Sequence, residues 1–359
     1  MGTQSIWKSS SRLADGREIV YFDEAPGLGR AQARDTRPLP PRAPGPALPD
    51  GSPDGSPDWG IRWDPLAGEW VVIAAARQDR TFLPPPDHCP LDPSAPGRPT
   101  EVPADSYDVV VFENRFPSLA EPLGRCEVVC FTADHSSSFA ALSPRRVRTV
   151  FEAWVDRTQA LSALPGTRQV YCFENRGEEI GVTLHHPHGQ IYAFPFLAPR
   201  LAQMVEQARG YPGGNLFDDL VAAELRAGTR IVTRNEHWIA FVPEAARWPY
   251  EVRIFPAARV PDLPATGEPA RDAFGPLYLD VLGRFDALFG KPAPYIAAWF
   301  QAPVADVRAR GQFAAHLQVL SVRRAAEKLK YLAGTESGMG VWINDIVPEE
   351  AAQRLREVL

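Results

Sequence analysis

Apolar and polar positions divide the chain, from about residue 60 onward, into strands and helices in no regular order. Arg62-Trp63-Asp64-Pro65-Leu66-Ala67-Gly68-Glu69 followed by Trp70-Val71-Val72-Ile73 reads as a turn feeding a strand. Short runs rich in β-branched and aromatic residues predict further strands at 107–112, 126–132, 168–174, 189–194, 230–234, 237–242, 250–255, 294–300 and 314–320. Helices are predicted at 144–163, 199–209, 216–227, 271–289 and 347–358. The last opens with Pro348, Glu349 and Glu350, which suit the positive N-terminal end of a helix. Strands and helices mix without βαβ alternation, so the expected fold is α+β, an antiparallel sheet with flanking helices. Before that region, residues 17–23 can form a strand. Arg37 to Asp58 is crowded with proline, glycine and aspartate and reads as a flexible connector. Residues 1–58 are therefore expected to be an extension and linker, with the ordered domain starting near Trp59.

The pattern also repeats. Glu127-Val128 with Phe131 returns as Glu251-Val252 with Phe255, and Asp108-Val109-Val110-Val111-Phe112 is matched by His237-Trp238-Ile239-Ala240-Phe241. Each set leads to a histidine segment, His188-Gly189-Gln190-Ile191 and His316-Leu317-Gln318-Val319. An internal duplication follows. The second copy has Ala314 where the first has His186, so only the first half is expected to be catalytic.

At 359 residues the chain is long for one domain, and 45% of it is hydrophobic, enough for a sizeable core. A formal charge of −6 argues against a nucleic-acid-binding face. Met1 to Leu13 lacks the apolar stretch of a signal peptide, and no apolar run approaches a membrane span. The expected location is the cytoplasm. Four cysteines do not make a disulfide framework in a chain of this length. Cys126, Cys130 and Cys172 lie in apolar β-type runs and read as buried thiols. Cys89 instead sits in a loop, Asp87-His88-Cys89-Pro90-Leu91-Asp92, the kind of place where metal knuckles form. No phosphate-binding P-loop, dinucleotide-binding glycine motif or G-x-S-x-G elbow is present.

His186-Pro187-His188-Gly189-Gln190 concentrates chemistry in a protein with seven histidines. A neutral imidazole can attack phosphorus near neutral pH and split one transfer into two steps, which makes His188 a candidate nucleophile. Taken alone, the same residues could be strand histidines or a metal-binding pair.

Other segments decide between these readings. Arg62-x-Asp64-Pro65 with Trp70, Val111-Phe112-Glu113-Asn114-Arg115-Phe116-Pro117, Asp134-His135, Phe173-Glu174-Asn175-Arg176-Gly177, the His186–Gln190 run and Lys330-Tyr331-Leu332-Ala333-Gly334 occur in the order found in one family. Together they resemble the galactose-1-phosphate uridylyltransferases of the histidine-triad superfamily, from about residue 60 to the C-terminus. The resemblance implies a duplicated histidine-triad-like antiparallel fold, with a catalytic half at 59–198 and a second half at 199–359. It also implies a ping-pong exchange in which UDP-glucose uridylylates His188 and galactose 1-phosphate then takes the UMP. Gln190 would bond the phosphoryl oxygens. Histidine-triad hydrolases carry a third histidine at that place, so the glutamine favours a transferase.

By the same resemblance, Asn114, Asn175, Gly181 and Thr183 would contact uridine or phosphate, and Arg77 and Arg80 the phosphate or sugar. Lys330, Tyr331, Thr335 and Glu336 match a segment that enters the neighbouring subunit's site, implying a homodimer. The family's structural zinc site corresponds to Cys89, Asp92, His135 and His186, with a carboxylate in place of a second thiolate. Zinc accepts all of these donors. An iron site found in some members corresponds to Met204, Phe300, His316 and Gln318, so no iron is expected, and His316 reads as an interior histidine. The alternatives are an ADP-sugar nucleotidyltransferase or phosphorylase of the same superfamily and a nonenzymatic metal-binding protein.

Overall fold

A computed structural model describes residues 5–28, 30, 35–40, 42 and 59–359. These fall into two compact units. One takes in the described chain up to Cys172 with Thr183–Met204 and Pro303–Ala305; the other comprises Phe173–Val182, Val205–Ala302 and Asp306–Leu359.

The first unit contains β1 (Trp7–Arg12), β2 (Glu18–Asp23), a hairpin of β3 (Trp59–Asp64) and β4 (Glu69–Ala74), β5 (Val109–Glu113), β6 (Arg125–Cys130), helix α1 (Pro144–Ser162), the start of β7 (Gln169–Arg176) and β8 (His188–Phe194). Strands β1, β2, β5, β6 and β8 lie side by side in that order, each antiparallel to the next. Helix α1 starts where Ser143 caps it by accepting from Arg146 N and Pro144 occupies the first turn. It buries Val147, Val150, Phe151 and Trp154. Arg157 reaches from this helix to Glu127 on β6 with two charge-assisted bonds, Nε to Oε2 at 2.9 Å and Nη2 to Oε1 at 2.7 Å, and both groups are buried.

The ordered part of this unit starts well before Trp59, the point expected from the sequence. The strand anticipated at 17–23 is present as β2, and its Ile19, Tyr21 and neighbours are buried against Val110, Phe112, Leu91 and Val128. Four consecutive buried apolar residues, Ile19–Phe22, are what a strand covered on both faces requires, while β1 and β5 pair with its two edges. The proline-rich stretch that follows disguised this continuity. Within that stretch Arg37 bonds Asp35, Ser94 Oγ (2.6 Å) and Thr100 O (2.9 Å). The rest of the expected connector, residue 41 and residues 43–58, lies outside the described residues.

The second unit contains the end of β7, helices α2 (Pro199–Gly210, from Val205 on) and α3 (Leu216–Ala227), strands β9 (Ile231–Arg234), β10 (Trp238–Phe241) and β11 (Tyr250–Pro256), helix α4 (Glu268–Ala287), strand β12 (Tyr295–Phe300), helix α5 (Val307–Gln312) and strand β13 (His316–Ser321). A short pair β14 (Arg323–Ala325) and β15 (Lys328–Leu329) and helices α6 (Gly334–Met339) and α7 (Pro348–Glu357) complete it. Its strand order is β7, β12, β13, β11, β10, β9, again antiparallel. At the end of β7, Gly177 has φ 103°, and a Cβ there would come within 3.0 Å of Pro294 Cα, so both conformation and space require glycine.

The two units repeat a strand order, β5-β6-β8 in one and β10-β11-β13 in the other. The repeat is not in the register suggested by the Glu-Val pairs, however. Gln190 lies opposite Val128, whereas Gln318 lies opposite Arg253. Side chains alternate along a strand, so the one-residue offset puts Glu127 on the face away from Gln190, while Glu251 shares a face with Gln318 and accepts from its Nε2. His316 is buried, with Nδ1 2.9 Å from Ala314 O and its ring stacked between Phe255 and Phe300 at 4.5 and 5.2 Å. Those rings explain its interior position.

Candidate active site and metal centre

Strand β8 sets the site. His188, Gln190 and Tyr192 alternate with buried Gly189, Ile191 and Ala193 and so share one face, opposite Cys130, Val128 and Cys126 of β6. Phe131 N donates to Pro187 O at 3.2 Å, pinning the approach to the strand. The Nδ1 of His188 lies 2.7 Å from the carbonyl of His186. A carbonyl can only accept, so Nδ1 carries the proton and Nε2 keeps its lone pair. Burial holds this imidazole far below its usual range, at about 4, so it is neutral at physiological pH.

A pocket in the first unit brings together Arg77, Arg80, Asn114, Thr183, His188 and Gln190, six of the residues singled out from the sequence. Asn114 Oδ1 accepts from Phe116 N at 2.8 Å, which sets the orientation of its amide. Arg77 Nη1 donates to Phe116 O at 3.1 Å. Thr183 O accepts from Leu83 N, tying the loop after β4 to the approach to β8.

Glu101 and Arg115 also line the pocket, and sequence reasoning missed them. Glu101 is buried between Arg115 Nη2 at 2.5 Å and Arg17 Nη2 at 2.6 Å, so a residue just ahead of β2 supports the pocket wall. Arg115 lies within the Val111–Pro117 run, which marks the segment but not the role of this side chain. Glu101 and Arg17 carried no local signal.

The remaining residues expected to contact substrate lie in the second unit. Asn175 is on β7 opposite Ile296, and Gly181 closes the turn Glu178–Ile180 with φ 82°. Lys330 Nζ bonds Glu336 Oε1 at 2.8 Å, and Thr335 Oγ1 bonds Glu336 Oε2 at 2.9 Å. Tyr331 is exposed.

Cys89, Asp92, His135 and His186 form a compact group beside the pocket, with one donor atom from each all within 4.8 Å of one another. Asp92 Oδ1 lies 3.0 Å from Nδ1 of both His135 and His186. The Nε2 of His186 lies 2.8 Å from Thr132 O and 2.8 Å from Tyr107 Oη, whose hydroxyl donates to Leu91 O. The Thr132 carbonyl therefore fixes the proton of a neutral His186 on Nε2 and leaves Nδ1 bare in front of a carboxylate oxygen. Two acceptors at that distance repel unless a proton or a cation lies between them. Burial lowers the basicity of His186, which disfavours the proton. Burial likewise pushes the Cys89 thiol up to about 11, a shift that a neighbouring cation reverses. The donor set thus fits a metal ion.

Comparison with known proteins identifies the family. Residues 120–198 match the model of the galactose-1-phosphate uridyl transferase N-terminal domain, and residues 201–359 that of the C-terminal domain. A galactose-1-phosphate uridylyltransferase of Streptomyces lividans is 48% identical, over 98% of both chains. One from Thermotoga maritima is 36% identical, covering 83% of this chain and 98% of its own. Among solved structures, a uridylyltransferase superposes with a TM-score of 0.73 at 27% identity, covering 83% of this chain and 97% of its own. Identity above 30% across nearly the whole length of both sequences, on a fold whose pocket gathers the motif residues, shows that this chain belongs to the galactose-1-phosphate uridylyltransferase family.

Proposed function

We infer that this enzyme moves a uridylyl group from UDP-glucose to galactose 1-phosphate in two steps through His188. The observation that carries the reading is the pairing of Nδ1 with the His186 carbonyl, which leaves a neutral Nε2 lone pair in a pocket lined by arginines. In the first step that lone pair attacks the α-phosphorus of UDP-glucose. The P–N bond forms, the P–O bond to glucose 1-phosphate breaks, and its electron pair leaves on the phosphate oxygen. In the second step an oxygen of galactose 1-phosphate attacks the same phosphorus, the P–N bond breaks, and UDP-galactose and neutral His188 result. Each leaving group is already a stable anion or a neutral imidazole, so neither step needs a proton donor. The amide of Gln190 then suffices, binding phosphoryl oxygens through fixed dipoles.

Arg77 and Arg80 suit the diphosphate through their guanidinium forks. Asn114 and Thr183 offer an amide and a hydroxyl to the nucleotide. In this reading Asn175 and Gly181 complete the nucleotide contacts, and Lys330, Tyr331, Thr335 and Glu336 serve the site of a second copy in a homodimer. The exposed Tyr331, Leu332, Met339 and Val341, a run of large apolar side chains left uncovered within one chain, support that assignment.

Zinc is the ion we assign to Cys89, Asp92, His135 and His186, a mixed S, O and N set. When bound, it would supply positive charge that holds the Cys89 sulfur as thiolate and ties the 89–92 loop to the segment ahead of β8. None of the four cysteines forms a disulfide, in keeping with a cytoplasmic enzyme.

The test is the intact mass of the protein after brief incubation with UDP-glucose alone, under conditions gentle to a phosphoramidate. A uridylyl adduct that disappears on adding galactose 1-phosphate supports the ping-pong reading. An adduct with ADP-glucose but not UDP-glucose would replace it with adenylyl transfer.

A further inference from the structure

Tyr192 stands two residues beyond Gln190 on the same face of β8. Its Oη lies 3.1 Å from Gln190 Oε1, 3.4 Å from Ser118 Oγ and 3.5 Å from Arg77 Nη1. A guanidinium can only donate, so Arg77 addresses a lone pair of the phenol oxygen. The shortest of the three contacts, to Gln190 Oε1, is then the natural destination of the phenolic proton. Burial raises this phenol to about 12, which keeps it a donor.

An amide oxygen can only accept, so this bond decides which end of the Gln190 amide faces the pocket. With Oε1 held by Tyr192, the NH2 group is the end left to meet an anion. Were the amide to turn over about its last torsion, it would present an oxygen to phosphoryl oxygens and repel them. The chain Arg77–Tyr192–Gln190 thus converts a side chain with two interchangeable ends into a donor of fixed polarity.

We propose that Tyr192 is a positioning residue for uridylyl transfer, holding the Gln190 amide with its NH2 group toward the phosphoryl oxygens. The inference rests on the reading that His188 carries the uridylyl group and that Gln190 binds its phosphoryl oxygens. Arg77 contributes by fixing the phenol. The ring itself packs against the cluster of Ile61, Leu119 and Cys126 with its centroid 5.8 Å from that of Phe194, so Tyr192→Phe removes the hydroxyl and keeps that packing.

The experiment is a double-mutant cycle of Tyr192→Phe and Gln190→Ala, read as the rate constant for uridylyl-adduct formation from UDP-glucose by rapid quenching and mass analysis. The rate constant, unlike the final amplitude, does not depend on the fraction of protein folded. In Tyr192→Phe it should fall roughly tenfold while KM for UDP-glucose stays within about twofold, the signature of an interaction realised in the transition state. In the Gln190→Ala background the same substitution should cost nothing further. A tenfold loss that persists undiminished without Gln190, or a wild-type rate in Tyr192→Phe, overturns the inference. If the wild-type protein itself takes no uridylyl group, the reading of His188 fails, and this inference with it.

Discussion

Tyr295 donates its phenolic hydrogen to Oε1 of Glu174 at 3.0 Å, and among the described residues no group bonds Oε2 of that carboxyl. Both side chains are buried. One hydrogen bond does not replace the hydration of a carboxylate, and burial pushes Glu174 up to about 8 from an ordinary 4.5. At neutral pH it is therefore largely protonated in the fold.

The folded chain thus binds a proton that the unfolded chain has released between pH 4.5 and 8, so stability falls as pH rises through that window and levels off above it. The loss should amount to roughly a few kcal/mol. Glu174→Gln keeps an acceptor for Tyr295 and removes the titration. Urea unfolding at a series of pH values should show this slope in the wild type and a flatter profile in the variant. Equal slopes would mean that Glu174 does not titrate abnormally.

The carboxylate of Asp92 faces two histidine nitrogens and lies near a thiol, and its contribution to metal binding is separable from its role as an acceptor. Asp92→Ala should lower zinc affinity at least roughly tenfold, with Asp92→Cys restoring or exceeding it because thiolate is the softer ligand. Metal content after dialysis against a chelator of graded strength, with the thermal midpoint alongside, reads both. Undiminished zinc in Asp92→Ala would remove Asp92 from the ligand set.

His188 is only partly buried on the pocket face of β8, and its removal leaves no charged group stranded. His188→Ala should therefore fold with a thermal midpoint close to that of the wild type, yet lose the uridylyl adduct and at least roughly a thousandfold in exchange rate. Retained exchange in a clean preparation of the variant would place the nucleophile elsewhere.

The strands were legible as short runs rich in β-branched and aromatic residues, and the long helices from their apolar spacing and end signals. The expected helix at 144–163 begins at its Ser-Pro cap as Pro144–Ser162, and the expected strand at 250–255 appears as Tyr250–Pro256. Strand β1 was not legible. Its Lys8-Ser9-Ser10-Ser11 is polar, and it exists because β2 offers a ladder beside it. The same limit applies to the pocket. His188, Gln190 and Asn114 sit in contiguous motifs, whereas Glu101 acquires its place only through Arg17 and Arg115, a partnership spanning 84 residues on one side. The Glu127 and Glu251 repeat shows the opposite error, a textual match that strand register sets on different faces.

The homodimer reading has a test that does not depend on any one assembly measurement. Tyr331 is exposed in its own chain, while the segment around it is held internally by Lys330 and Glu336. Tyr331→Ala should leave the fold intact but slow the second half-reaction, and His188→Ala should abolish the first. If Tyr331 serves the partner's pocket, a mixed dimer of the two variants contains one site with both residues native. Co-refolding equal amounts of the two variants should then restore about a quarter of wild-type exchange, since half of the dimers are mixed and each has one competent site of two. Recovery that never exceeds the sum of the separate variants would place Tyr331 at its own chain's site or at none.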